Sequence, residues 1–191
     1  MYLDELADIQ LGYPFRSRLE PDPKGDVFVI QMKDVDDANL LHVENSVRLA
    51  LPKRGEHHLL RPGDLLLRSR GRSNGVALVA DGLPPAILAA PMIRIRPDTS
   101  KVLPAYLNWF MNSPAGQAQI AAKAEGTLVM MISVDEIKSL EVPLPSLERQ
   151  AAIADVAQLA QREHQLLSEI AGLRERTTHH ILMNEAKKAT P

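Results

Sequence analysis

Residues 140–150 read Leu-Glu-Val-Pro-Leu-Pro-Ser-Leu-Glu-Arg-Gln, and the pattern of the chain changes within this stretch. Before it, short apolar runs alternate with turns that contain Gly and Pro, a pattern typical of strands. After it, apolar residues recur at steps of three and four, as in an amphipathic helix. Ser146 is a favourable N-cap, and Glu148 falls in the first turn. The sequence therefore predicts a domain over 1–146, a long helix over 147–185 and a tail over 186–191.

The predicted helix carries two rows of residues at heptad spacing. One row holds Val156, Glu163, Ile170 and Thr177, and the other holds Leu159, Leu166, Leu173 and His180. A helix from Leu147 to Met183 is about 55 Å long, and one with such a stripe has to bury it on its own domain or on another helix. We predict a coiled-coil contact through Val156, Leu159, Glu163, Leu166, Ile170, Leu173 and Thr177.

The part before residue 146 predicts a β-rich domain with a few short helices, which makes the fold class α+β. The predicted strands are Val27–Met32, Val47–Leu49, Leu65–Arg68, Val76–Ala80 and Ile87–Ile95. Helices are predicted over Pro104–Met111, from Ser113 to about Ala124, and after a capping box formed by Ser133 and Glu136.

Composition excludes several classes of protein. The chain has 191 residues, of which 45% are hydrophobic and 24% charged, so wholesale disorder is excluded. The absence of Cys excludes thiol catalysis and cysteine-based zinc sites. The longest apolar stretch, Pro84 to Ile93, is too short and too interrupted by proline to span a bilayer, and the chain opens without a secretory leader pattern. We therefore expect a cytoplasmic protein with no membrane contact.

Positive charge is concentrated between Arg48 and Arg72, a stretch that contains seven basic and two acidic residues, although the whole chain carries a net charge of −2. Arg and Asn read guanine and adenine edges, and Ser and Gly allow backbone to approach phosphate. We predict contacts to base edges or nearby phosphates from Arg68, Arg70, Arg72, Ser73 and Asn74. Further phosphate contacts are predicted from Arg16, Arg18, Lys53 and Arg54. On charge alone, a solvated polar strand edge remains an alternative.

Two other functions remain open at this point. Asp98, Glu136 and Lys138 follow the Pro-Asp and Glu-x-Lys pattern of a metal-dependent nuclease, in which the carboxylates hold magnesium and the lysine polarises water. A protein-binding module that uses only the helix, without DNA specificity, is the other alternative. No metal site is predicted, because the paired histidines are adjacent and point to different faces.

Landmarks along the whole chain resemble one known family. They are Leu6–Phe15, Ile30–Val35, Leu60–Leu66, Pro104–Leu107 with Asn112-Ser113, Gly126-Thr127, Ile137–Leu140, and Val142–Pro145 with Gln150. In this order they resemble one target-recognition domain and the following spacer helix of a specificity (S) subunit of type I restriction-modification systems.

The resemblance implies a subunit without catalytic residues or cofactors of its own. Such a subunit reads a half-site in double-stranded DNA and holds a methyltransferase subunit that methylates adenine from S-adenosylmethionine. A restriction and translocase subunit, which uses magnesium and ATP, joins that complex.

A typical S subunit has two recognition domains and two spacer helices, so this chain resembles half of one. We expect a homodimer through antiparallel helices, with Glu163 facing Arg174 or Arg176 of the second copy, and a two-part target with inverted halves. A truncated or split gene is the alternative origin.

Overall fold

The computed structural model describes residues 1–15, 19–44, 46–51, 55–71, 74–124 and 130–188. The strands are β1 (Ala7–Leu11), β2 (Val27–Ile30), β3 (Val47–Leu49), β4 (Leu65–Leu67), β5 (Arg70–Gly71), β6 (Val76–Leu78), β7 (Ala86–Leu88), β8 (Ile93–Pro97) and β9 (Met130–Met131). The helices are α1 (Pro104–Asn112), α2 (Pro114–Lys123), α3 (Val134–Lys138) and α4 (Leu147–Lys188), with short 3-10 helices at Leu3–Glu5, Met32–Asp34 and Gly55–His58. The predicted α+β class is confirmed. The chain forms two compact units, Met1–Ala151 and Ala152–Pro191.

The first unit contains a four-stranded antiparallel sheet in the order β1-β8-β4-β6. The strand β4 is buried at every residue, so both faces of the sheet are covered at this strand. The strand β6 lies at the end of the strand order, so one row of its backbone groups faces away from the ladder. That free edge matters for the functional surface below.

A second sheet in the order β3-β2-β7 pairs β2 antiparallel with β3 and parallel with β7. A parallel pair needs a long crossover connection, and the residues between β2 and β7 provide it. Val29 and Ile87 pack in one apolar cluster, whereas Ile30 and Leu88 pack in another. Successive residues point to opposite faces of a strand, so both faces of this sheet are covered.

The prediction of one strand over Ile87–Ile95 is wrong, because β7 and β8 occupy its two ends and belong to different sheets. Pro91 lies in the break and has no N–H to donate to a ladder. The backbone of Gly12 passes against this break and donates to the carbonyl of Met92 at 2.8 Å. A Cβ on Gly12 would lie 2.5 Å from the Ala89 carbonyl carbon, which makes glycine necessary there.

The short helices begin at the predicted signals. Pro104 occupies the first turn of α1, and the hydroxyl of Ser113 accepts a hydrogen bond from the N–H of Gly116 at the start of α2. The capping box of Ser133 and Glu136 is present at α3. These starts were predictable because each signal lies within four residues of the helix that it begins.

The long helix α4 begins at Leu147, as predicted, and Gln150 fixes its first turn. The Gln150 side chain is completely buried, accepts from the N–H of Leu103 at 2.8 Å, and donates to the carbonyls of Lys101 and Pro145. No helix in the described ranges has the length and apolar character needed to cross a membrane.

Candidate nucleic-acid interface

The segment 68–75 leaves the four-stranded sheet after β4 and returns to it at β6, and two hydrogen bonds close its base. The N–H of Arg68 donates to the carbonyl of Gly75 at 3.0 Å, and the Asn74 amide donates to the carbonyl of Arg68 at 2.8 Å. Gln117 on α2 holds the same place by donating to the Asn74 carbonyl at 3.2 Å. This segment, called the basic segment below, is therefore held at both ends by the sheet and by α2. Loops that a rigid scaffold positions in this way often carry functional residues.

Asn74 has a role that the sequence did not indicate. Its side chain was predicted to contact DNA, yet the residue is only 5% exposed and its amide is occupied within the loop base. The structure thus places Asn74 as the residue that closes the segment.

Arg68 is also turned toward the protein. Its side chain is 13% exposed, donates to the Asn39 side-chain oxygen at 3.1 Å, and lies 3.9 Å from the Asp37 carboxylate. Arg68, Arg70 and Arg72 alternate in the sequence, and on an extended segment alternating residues share one face. Arg70 begins β5 and is exposed, whereas Arg68 precedes that strand and packs inward, so the structure separates these two.

The other predicted DNA contacts lie outside the described residues. They are Arg16, Arg18, Lys53, Arg54, Arg72 and Ser73. Among the predicted residues that the structure describes, Arg70 is the one exposed to solvent.

Asn112, at the end of α1, forms hydrogen bonds with backbone groups on the outer edge of β6. Its side-chain oxygen accepts from the N–H of Val76 at 3.0 Å, and its amide donates to the Val76 carbonyl at 2.8 Å. The same oxygen accepts from the Asn39 amide at 3.1 Å. Val76 directly follows the basic segment. Asn112 and Asn39 therefore support the end of the segment that returns to the sheet, and Asn74 closes the base of the segment.

A pair of arginines on β8 was not predicted from the sequence. Arg96 donates to both oxygens of Asp64 at 2.7 Å, and Asp64 is 1% exposed. This hydrogen bond raises the pKa of Arg96. Asp64 also accepts from the N–H of Arg61 at 2.8 Å, so it shapes the turn before β4. The Pro-Gly-Asp landmark at this turn therefore has a structural explanation.

Arg94 occupies the alternate position on the same strand and is almost fully buried. It forms an ion pair with Asp8 and donates to the carbonyl of His57 at 3.2 Å. Burial lowers the pKa of Arg94, and the positive charge of Arg96 lowers it further. The Arg-x-Arg alternation in β8 was visible in the sequence, but alternation alone does not distinguish buried ion pairs from a DNA-facing surface.

The residues of the nuclease alternative each have a local partner. Asp98 accepts from the N–H and hydroxyl of Ser100, and these bonds lower its pKa. Glu136 closes the capping box by accepting from the N–H of Ser133 at 2.6 Å, and Lys138 pairs with Asp135. In the part of the chain that the structure describes, no cluster of three His, Asp or Glu side chains is suited to hold a metal ion.

The apolar stripe of α4 is exposed in this single chain. Large apolar side chains that lie along it and are exposed are Val156, Leu159, Leu166, Leu167, Ile170, Leu173 and Ile181. Glu163 and Thr177 of the predicted contact are exposed as well. Leu167 and Ile181 extend the stripe beyond the two predicted rows.

Comparison with known proteins identifies the fold. No family model and no curated protein matches the sequence. Solved structures do match: an HsdS subunit from Thermoanaerobacter tengcongensis has 19% identity and a TM-score of 0.62, and covers 88% of this chain and 38% of its own. The type I restriction-modification S subunit from M. genitalium has 18% identity and a TM-score of 0.60, with coverages of 92% and 42%.

A third match comes from a study of complex assembly and conformational transition in the type I R-M system. It has 17% identity and a TM-score of 0.72, and covers 94% of this chain and 42% of its own. The chain therefore has the fold of type I restriction-modification S subunits. It spans about two fifths of the length of these solved chains.

Proposed function

We propose that this chain is a DNA-recognition component of a type I restriction-modification complex. It reads a short half-site in double-stranded DNA and docks an adenine methyltransferase, with which a restriction and translocase subunit can associate. The observation that carries the proposal is the match to S-subunit structures over about nine tenths of the chain. The basic segment 68–75, which hydrogen bonds hold at both ends, also supports the proposal, because an exposed arginine held in place suits contact with a nucleobase or a phosphate.

In this proposal the chain recognises the DNA half-site and docks the partner subunits, and the partner subunits perform the chemistry. S-adenosylmethionine binds to the methyltransferase, and magnesium and ATP bind to the restriction subunit. Arg70 contacts DNA directly, with Arg16, Arg18, Lys53, Arg54, Arg72 and Ser73 as further predicted contacts. A net charge of −2 is compatible with this role, because partner subunits share the phosphate contacts.

Selection from a random duplex library tests the recognition role. The chain, co-purified with its methyltransferase, should enrich a defined sequence at 150 mM salt. Arg70→Ala should weaken binding to that duplex by about tenfold, whereas Arg149→Ala, which changes an exposed arginine in the first turn of α4, should bind it as the wild type does. Equal binding by both variants would contradict the assignment of the basic segment. No enrichment would shift the proposal to a protein-binding module.

We further propose that a second copy covers the α4 stripe in antiparallel orientation. In a pair centred between Leu167 and Ile170, Glu163 of one copy lies opposite Arg174 of the other, and Val156 lies opposite Ile181. In this register Leu167 lies opposite Ile170, and the one acid in the stripe meets a base. A charged pair at such a position fixes register.

Charge exchange tests this arrangement. Size-exclusion chromatography with light scattering should give the wild type a mass of about twice 21.1 kDa at tens of micromolar. Glu163→Arg should shift the mass toward the monomer, because two repulsions between arginines replace two attractions, and adding Arg174→Glu should restore the dimer. A monomeric wild type, or a double variant that stays monomeric beside a dimeric wild type, would contradict the antiparallel register.

A further inference from the structure

We propose that Met131 contacts the bases of bound DNA through its apolar side chain, beside Arg70 on one face of the β5–β9 ribbon. This inference rests on the proposed function and adds a specificity-determining residue to it. Sequence patterns gave no sign of this role, because Met130-Met131 reads as an ordinary core pair.

The ladder places Arg70 and Met131 side by side. They are directly paired in antiparallel β5 and β9. The N–H of Ile132 donates to the carbonyl of Ser69 at 2.9 Å, so that neighbouring pair is hydrogen-bonded and Arg70–Met131 is the non-hydrogen-bonded pair. In such pairs the side chains share a face with their Cβ atoms about 4.5–5.5 Å apart. Both are exposed, Met131 to 54%.

The opposite face of the ribbon is anchored. Ser69 and Ile132 are each 2% exposed, and the Ser69 hydroxyl donates to the carbonyl of Pro91. Ser133, directly after Ile132, caps α3 and fixes the end of β9. Because side chains alternate between faces, burial of Ser69 and Ile132 holds Arg70 and Met131 outward. Their orientation is therefore set by the core and not by the side chains themselves.

The chemistry of this exposed pair suits DNA. A two-stranded ribbon fits the major groove, where arginine reads guanine and apolar groups contact the thymine methyl. Methionine also serves as a wedge between base steps in some DNA-bending proteins. Both modes use the apolar surface of bases. The contribution of Met131 is therefore independent of salt, unlike that of an arginine bound to phosphate.

Binding measurements on the co-purified complex test the proposal, with the selected duplex and a scrambled duplex as probes. Met131→Ala should weaken binding to the selected duplex by about tenfold and leave the scrambled duplex and the salt slope unchanged. Leu11→Ala is the matched control, because Leu11 is also an exposed apolar strand residue but lies on β1. It should bind both duplexes as the wild type does.

Two modified duplexes identify the mode of contact. Replacing thymine by uracil in the half-site should abolish the difference between wild type and Met131→Ala if the methyl group is the contact. A fluorescence increase of 2-aminopurine that depends on Met131 marks a wedge instead. Selective wild-type binding with an unchanged Met131→Ala variant would overturn this inference alone, whereas a wild-type complex without sequence preference would overturn the proposed function as well.

Discussion

Replacing Asn112 by alanine should destabilise the first unit by about 3 kcal/mol. The variant loses two hydrogen bonds to Val76, at 3.0 and 2.8 Å, each with a net value of about 1 kcal/mol. Val76 is completely buried, so its backbone N–H and carbonyl are left with little access to water, which adds roughly another 1 kcal/mol. For a chain of this size, 3 kcal/mol corresponds to about 6–12 °C in Tm.

Gln119→Ala provides a matched control, because the same chemistry occurs there at the surface. The Gln119 amide donates to the carbonyl of Glu141 and accepts from its N–H, both at 3.0 Å and both exposed. Water replaces these bonds, so the loss should be about 0.5 kcal/mol. Urea unfolding followed by circular dichroism, at an unchanged m value, measures both variants. Losses that agree within about 0.5 kcal/mol would refute the reasoning from the buried edge of β6.

Three further predictions concern individual contacts within the first unit. Asp64→Asn should destabilise by about 3 kcal/mol in urea unfolding, because Arg96 loses its charged partner; a loss below about 1 kcal/mol would contradict this. The hydrogen bond to Asp36 raises the pKa of His42 above 6.5. This pair therefore stabilises the fold below about pH 6.5, and the contribution is lost as the pH rises through the raised pKa. NMR titration of His42 should show the raised pKa, and Asp36→Asn should abolish the shift. Gly75→Ala should weaken binding to the selected duplex and lower the Tm, because its Cβ would overlap the Asn39 side-chain oxygen; an unchanged Tm would argue against this packing.

Features that depend on neighbouring residues could be predicted from the sequence. The start of α4 at Leu147 and the capping box of Ser133 and Glu136 follow from signals a few residues apart. The α+β class follows from the change of apolar period within residues 140–150. The break between β7 and β8 escaped prediction, because an apolar run gives no sign of where its two ends join different sheets.

The candidate interface was predicted less completely, because tertiary contacts decide which side chains face outward. Asn74 and Arg68 belong to the predicted basic segment, but contacts with Gln117 and Asn39 turn them inward. Met131 became visible as a surface residue only because β9 pairs with β5, which lies far away in the sequence. Charge and residue type thus predicted the segment 68–75, and among its predicted contacts that the structure describes, Arg70 is the exposed one.

Sequencing of methylated adenines tests the central claim most directly. The methyltransferase that co-purifies with this chain would be expressed with and without it in a host that lacks other adenine methylation. The account predicts methylation within one defined two-part motif only when the chain is present, with inverted halves if two identical copies pair through α4. Methylation that is the same without the chain, or that shows no common motif, would contradict the assignment of this protein as the DNA-recognition component.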